Sequence, residues 1–165
     1  IPKFIEAIDA WDSWKLDSKH RKYGESLNLL FGYYGNEEFI KRFHRMPNNL
    51  FGSPTDMTIV KVLRKIKTDY LEHKLEQVKT KINKEGNKYW EVYSGEVQSG
   101  MGNLLEMSNG QNKSEIKYLK TINLNDMLVS LYSIGNFDVS EIAKKNGGGG
   151  HAKAAGYTIK DDKIW

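Results

Sequence analysis

Four consecutive glycines followed by a histidine and a run of small residues, Gly147-Gly-Gly-Gly-His-Ala-Lys-Ala-Ala-Gly156, constrain this chain more than any other stretch of it. Glycine loses more backbone freedom on folding than any other residue, so four in succession are costly unless the fold uses them. A linker is one outcome, but the run sits between a helical pattern at Val139 to Lys145 and a strand-like one at Ala154 to Ile159, where linkers are rarely placed. Two readings remain on the residues alone. The glycines can form a structural turn, or their N–H groups can converge on an oxyanion with no side chain in the way. His151 would add a donor that is strongest when charged, which suits phosphate. Ala152, Ala154, Ala155 and Gly156 would let the backbone pack closely behind the loop.

Composition sets outer limits. The 165 residues suffice for one domain, or a small domain with an appendage. With 39% hydrophobic and 12% aromatic residues the chain can bury a core. Its mean hydropathy of -0.62 marks it as soluble, and no window approaches the ~20 apolar residues of a spanning helix. The absence of cysteine excludes disulfides and thiolate metal sites. With no signal-peptide pattern either, a cytoplasmic protein is the simplest reading. The opening Ile1-Pro-Lys-Phe-Ile-Glu-Ala-Ile8 has no initiator Met and reads as the middle of something longer.

The formal charge of +4 is concentrated: residues 61–88 hold nine basic side chains against four acidic ones. Lys61, Arg64, Lys65 and Lys67 come early in that segment and Lys79, Lys81 and Lys84 late. A basic stripe favours an anionic partner such as nucleic acid, though a solvated helix face has the same composition.

Residues 1–16 read as a short apolar and aromatic segment, with Asp9 and Asp12 beside Trp11 and Trp14. Residues 17–24 read as a polar turn closing on Gly24. Glu25 to Tyr34 is mixed apolar, punctuated by Gly32 and Gly35, and Asn36 can cap a helix over 37–45 that ends at Met46-Pro-Asn-Asn49. Ser53, Pro54 and Asp56 form a helix start, the Ser as N-cap and the Pro in the first turn. Apolar residues then recur at Ile59, Leu63, Ile66, Tyr70, Leu71, Leu75, Val78 and Ile82, which predicts one long amphipathic helix over 53–87. Its offset stripe suits a dimer contact as readily as a neighbouring domain. Beyond it the pattern predicts a strand at 88–93, a short helix at 100–107, strands at 116–122 and 127–132 around an Asn123–Asp126 turn, a helix at 139–145 and a last strand at 154–159. The expected fold is therefore α/β: a small mixed β-sheet domain with flanking helices at 88–165, a connector helix at 53–87, and a mostly helical segment at 1–52.

Three linked motifs, Leu128-Val-Ser-Leu-Tyr-Ser133, Phe137-Asp-Val-Ser-Glu-Ile-Ala143 and Gly147 to Tyr157, resemble the DHH-associated C-terminal domain of DHH-family phosphoesterases. The hallmark G-G-G-H-x-x-A-A-G is matched at every fixed position by Gly148 to Gly156, and the likeness extends more loosely over 88–165. The segment Ile5 to Lys15 resembles the place where the catalytic domain ends in some members. The resemblance implies a division of labour. An upstream catalytic domain would hold two manganese ions through aspartates and histidines, polarising the phosphoryl group and generating hydroxide. Gly148, Gly149, Gly150 and His151 would grip substrate phosphate, His151 also steadying the transition state. The substrate would be a short RNA or DNA oligonucleotide or a small nucleotide.

Two departures qualify it. Many members carry Arg where Tyr132 stands in Ser130-Leu-Tyr-Ser133; Tyr132 offers one hydroxyl and a ring that stacks on a base or fills the core. Ser130 and Tyr132 are counted with the substrate-binding residues. The chain also lacks Asp-His-His and D-x-D, and His20, His44, His73 and His151 have no metal-site spacing. Asp9 or Asp12 is a metal-ligand remnant at most, and a capping or salt-bridging pair in the plainer view. By itself this portion should hydrolyse nothing. The alternative is a non-catalytic RNA- or nucleotide-binding module, like the related C-terminal domain of alanyl-tRNA synthetases.

Overall fold

The computed structural model describes residues 3–12, 21–44, 53–95, 100–108 and 115–159. Trp14, Trp165, His20 and the Met46–Asn49 helix stop lie outside them, as do the side chains of Asp12 and His44. The chain divides into two compact units, Ile1–Thr68 and Asp69–Trp165.

The first unit is helical, with α1 at Lys3–Asp12, α2 at Arg21–His44, and the beginning of α3, which runs Pro54–Glu76. Gly24 does not close a turn; it lies inside α2. A Cβ there would meet the Ala7 carbonyl and come within 2.7 Å of the Trp11 Cβ, so glycine lets α2 cross α1 backbone to backbone. The helix breaks at Gly35, with φ 71 and ψ 172, and resumes at Asn36, which is its first helical residue rather than its cap. Ala7, Leu27, Leu30, Phe39, Phe43 and Val60 form the core.

The start of α3 is built as expected. Ser53 accepts the Asp56 N–H at 3.2 Å and donates its hydroxyl to the Asp56 carboxylate at 3.0 Å. Asp56 is 1% exposed, and it also accepts from the Tyr34 hydroxyl at 2.5 Å and from Arg42 at 3.4 Å. Burial, then the hydrogen bond to Asp56, raises the Tyr34 pKa to about 12.

The connector helix is shorter than the 53–87 expected, because α3 ends at Glu76. Residues 79–82 form β1 (Lys79–Ile82), paired antiparallel with β2 (Lys88–Ser94). Asn83 closes the turn by accepting the N–H groups of Glu85 and Asn87. The basic segment is consequently no single helix face. Arg64 and Lys67 are tied to Glu25, at 3.1 and 3.6 Å. Lys79 and Lys81 stand on an edge strand, where lysines discourage pairing with other chains. Ile66, placed in the apolar stripe by its spacing, is 60% exposed.

The second unit is a mixed α/β domain on a six-stranded sheet of order β1-β2-β3-β4-β6-β5, completed by β3 (Ile116–Asn123), β4 (Leu128–Ser133), β5 (Gly149–Gly150) and β6 (Ala154–Thr158). Only the β2–β3 pair is parallel. Its crossover carries a 3-10 turn (Met101–Asn103) and α4 (Leu104–Met107). One face buries Trp90, Val92 and Leu119 against Leu71, Met101 and Leu104. The other buries Tyr118, Ile122, Val129 and Leu131 against Val139 and Ala143, in and beside α5 (Ser140–Lys145). Among the described residues, no helix is long and apolar enough to cross a membrane.

Candidate phosphate-binding site

The glycine run is a helix end followed by a hairpin. Gly147 has φ 80 and donates to the Lys144 carbonyl at 3.0 Å, while Gly148 donates to the Ala143 carbonyl at 2.9 Å. Those two bonds satisfy the last carbonyls of α5 and define a Schellman cap with Gly147 at its left-handed position. A Cβ on Gly148 would come within 2.5 Å of the Tyr157 Cβ, so that glycine serves a close backbone approach. Its N–H, expected among the phosphate donors, is occupied by Ala143. This corrects the reading of the run as one continuous nest.

Gly149 and Gly150 then pair with Gly156 and Ala155. His151 and Ala154 exchange backbone hydrogen bonds of 2.8 and 3.1 Å around the two-residue turn Ala152-Lys153. Hydrogen-bonded and non-hydrogen-bonded pairs alternate along antiparallel strands, so Gly150 and Ala155 form a non-hydrogen-bonded pair. The Gly150 N–H therefore faces the outer edge of the sheet. Its φ of 136, with Ala155 Cα 2.5 Å from where a Cβ would sit, leaves room for glycine alone. A Cβ on Gly149 would meet nothing within 4 Å, so space is open there.

His151 is exposed, and no hydrogen bond or ion pair engages its imidazole among the described residues. The turn that carries it is braced on both carbonyls. Val139 N–H donates to Ala152 at 3.1 Å and Ser133 N–H to Lys153 at 2.9 Å. The Lys153 ammonium donates to the Gly135 carbonyl, and the Ser133 hydroxyl to the Phe137 carbonyl at 2.5 Å. Asp138 accepts from the N–H and hydroxyl of Ser140 at 2.8 and 2.7 Å, and those bonds hold its carboxyl below the usual range. The three linked motifs are thus one structural unit. Ser133 and Lys153, which had no role assigned from sequence, are its struts; a serine at a strand end five positions before a helix-capping aspartate was the available signal.

Ser130 and Tyr132 share the sheet face turned away from α5, because Val129 and Leu131 between them pack on the α5 side. Ser130 stands opposite Gly156, and Tyr132 opposite Ala154. The Tyr132 ring packs against the Leu71, Trp90 and Leu119 cluster, which is the core-filling role rather than base stacking. Burial raises the pKa of its hydroxyl. The structure thus places Ser130 and Tyr132 on β4 and Gly149, Gly150 and His151 in and just after β5, with β6 between the two groups. Asp9 is exposed on α1 in the other unit. Among the described residues, no group of three or more His, Asp or Glu side chains is placed to hold a metal ion.

Several known proteins resemble this chain. A Bacillus subtilis protein named oligoribonuclease NrnB is 30% identical over 167 residues, covering 98% of this chain. The chain spans only 40% of that relative's length. Among solved structures, the DHH domain of a member of the s1p family of ribosomal proteins superposes with a TM-score of 0.61 at 14% identity, over 99% of this chain and 44% of that one. A pGpG-specific phosphodiesterase, PggH, from Vibrio cholerae gives 0.58 at 16% identity, over 96% of this chain and 60% of that one. These two likenesses show the fold. The family model of the DHHA1 domain matches residues 78–164, beginning at the threshold of β1. With more than half of its length matched, the chain belongs to the DHHA1 domain family.

Proposed function

We propose that this chain is the substrate-binding portion of a manganese-dependent, cytoplasmic DHH-family phosphoesterase that hydrolyses short oligonucleotides or small nucleotides. The observation that carries the reading is the pairing of an outward Gly150 N–H with the exposed His151 imidazole beside the open space over Gly149. A backbone donor and an imidazole donor together favour a phosphate oxygen, and bonds to an ionised acceptor are the strong ones. Glycine is required at 150 by backbone geometry, so the donor is fixed in position before a ligand arrives. The kinship with an oligoribonuclease supports the substrate class.

The described residues do not fit a manganese pair. In this reading the metal ligands belong to a catalytic domain elsewhere in the parent protein, and this portion binds and orients the substrate. His151→Ala in the full-length protein should abolish hydrolysis of a dinucleotide while the circular dichroism spectrum stays that of the wild type. Unchanged turnover would refute the role of His151, whereas a wild type that binds nucleotide without hydrolysing it would favour a non-catalytic nucleotide-binding module.

A further inference from the structure

We infer that the sheet face carrying α5 holds a second ligand site beyond the end of that helix, built for a nucleoside monophosphate. It lies on the face opposite Ser130 and Tyr132 and does not depend on the phosphate reading at His151.

The site follows from strand register. Tyr93 in β2, Ile122 in β3, Val129 in β4 and Tyr157 in β6 stand opposite one another in a single row. Ile122, Val129 and Tyr157 pack on the α5 side. Tyr93 joins them because strand residues alternate and its neighbour Val92 is buried in the opposite cluster. The adjacent row is Glu91, Lys120, Leu131 and Ala155. The six residues of α5 reach only ~9 Å. They pack with Leu131 and Ala155 and leave a cavity of about 530 Å³ over the tyrosine row, with Lys120 and Lys145 also lining it. Pockets for small ligands fall in this size range.

Charge comes from the lysines, since no acidic side chain lines the cavity among the described residues. Lys120 donates to Glu91 at 3.0 Å, and its side chain is 22% exposed. An ammonium has three donors, and Glu91 is the one acceptor it meets among the described residues. Burial works against the charge on Lys120, but the hydrogen bond and charge of Glu91 outweigh it and raise the pKa. The cavity thus holds a fixed cation with donors to spare, which an anion with several acceptor oxygens would use. Lys145 can join it, because its own pair with Glu85 at 3.5 Å is exposed on both sides and weakly held.

The row supplies the other half of the recognition. Tyr93 is 54% exposed, and nucleobases stack on such rings whatever their sequence. Ile122 and Val129 give the same ring an apolar floor. Lys120 is two residues from Ile122 along β3, ~6.8 Å, so cation and row lie within reach of one mononucleotide. A phosphate joined to an aromatic base meets both demands in one molecule.

The test is calorimetric titration of adenosine monophosphate into the full-length protein and its His151→Ala variant. Binding should persist in His151→Ala, with adenosine and inorganic phosphate each at least tenfold weaker. In that background Tyr93→Ala should weaken the nucleotide about tenfold, the worth of one stacked base. Lys120→Gln alone would strand Glu91, so it is made together with Glu91→Gln. That double variant should also weaken the nucleotide about tenfold while leaving adenosine unchanged. No nucleotide binding in His151→Ala overturns the assignment. So does an affinity that neither the Tyr93 nor the Glu91 and Lys120 substitutions move in a folded protein, or one equal for adenosine and its monophosphate.

Discussion

Val139 donates its backbone N–H to the Ala152 carbonyl at 3.1 Å, joining the start of α5 to the turn that presents His151. The same helix ends in the Schellman cap that launches Gly148 toward β6. One short helix therefore fixes both approaches to the candidate site, and substitutions there should separate into structural and functional classes.

The glycines give the sharpest separation. Gly150→Ala forces an alanine to φ 136 and into the Ala155 backbone, so it should cost at least ~2 kcal/mol. Gly149→Ala has open space around the new methyl and should change stability by no more than about 1 kcal/mol. The methyl would nonetheless stand where substrate is proposed to lie. Urea unfolding and nucleotide titration of the two variants check both halves.

Asp56 is a buried carboxylate with three side-chain partners, Tyr34, Arg42 and Ser53. Asp56→Ala should destabilise the helical unit by ~2–4 kcal/mol. Thermal unfolding monitored by circular dichroism would register it as a lowered Tm.

Tyr34 supplies an alkaline signature. Its pKa is raised to about 12 from 10.0 in the folded chain, so the folded state holds the proton more tightly than the unfolded one. The stabilisation is complete below pH 10, and is lost as pH rises from about 10 through about 12. Tyr34→Phe should flatten that part of the Tm–pH curve.

Asp138 should act at the opposite end of the scale. Hydrogen bonds from Ser140 lower its pKa, so its contribution is present above the unfolded value and disappears as pH falls through the folded one. Asp138→Asn should lower Tm at neutral pH and reduce its slope on the acid side, measured by calorimetry.

Much of this was legible in the sequence where local rules decide the outcome. Ser53, Pro54 and Asp56 announced the start of α3, and the turn at Asn123 to Asp126 separated β3 from β4 as composition indicated. The end of α3 was hidden by a coincidence of phase. Val78 and Ile82 continue the spacing of Leu71 and Leu75, yet 79–82 are a fully exposed edge strand defined by pairing with β2. Lys79-Thr-Lys-Ile82 does alternate lysine with β-branched residues, but four residues are too short a run to outweigh the helical spacing that continues through them. Gly24 misled for a related reason, since its purpose is the approach of α1, which no local window contains. At the site, the motif located the loop, whereas the assignment of each glycine to a cap, a close approach or an open edge needed the hydrogen-bond ladder.

The six residues of α5 make it less than two turns long. Its Asp138 end is tied to the turn and its Gly147 end delivers the hairpin. Adding or removing one residue would swing Gly147 by about 100° around the helix axis and shift it by ~1.5 Å. Hydrogen bonds to Ala143 and Ala152 would then fall out of step together. The helix thus works as a ruler, and the interval from Asp138 to Gly147 should resist insertion even where its individual side chains are free to vary.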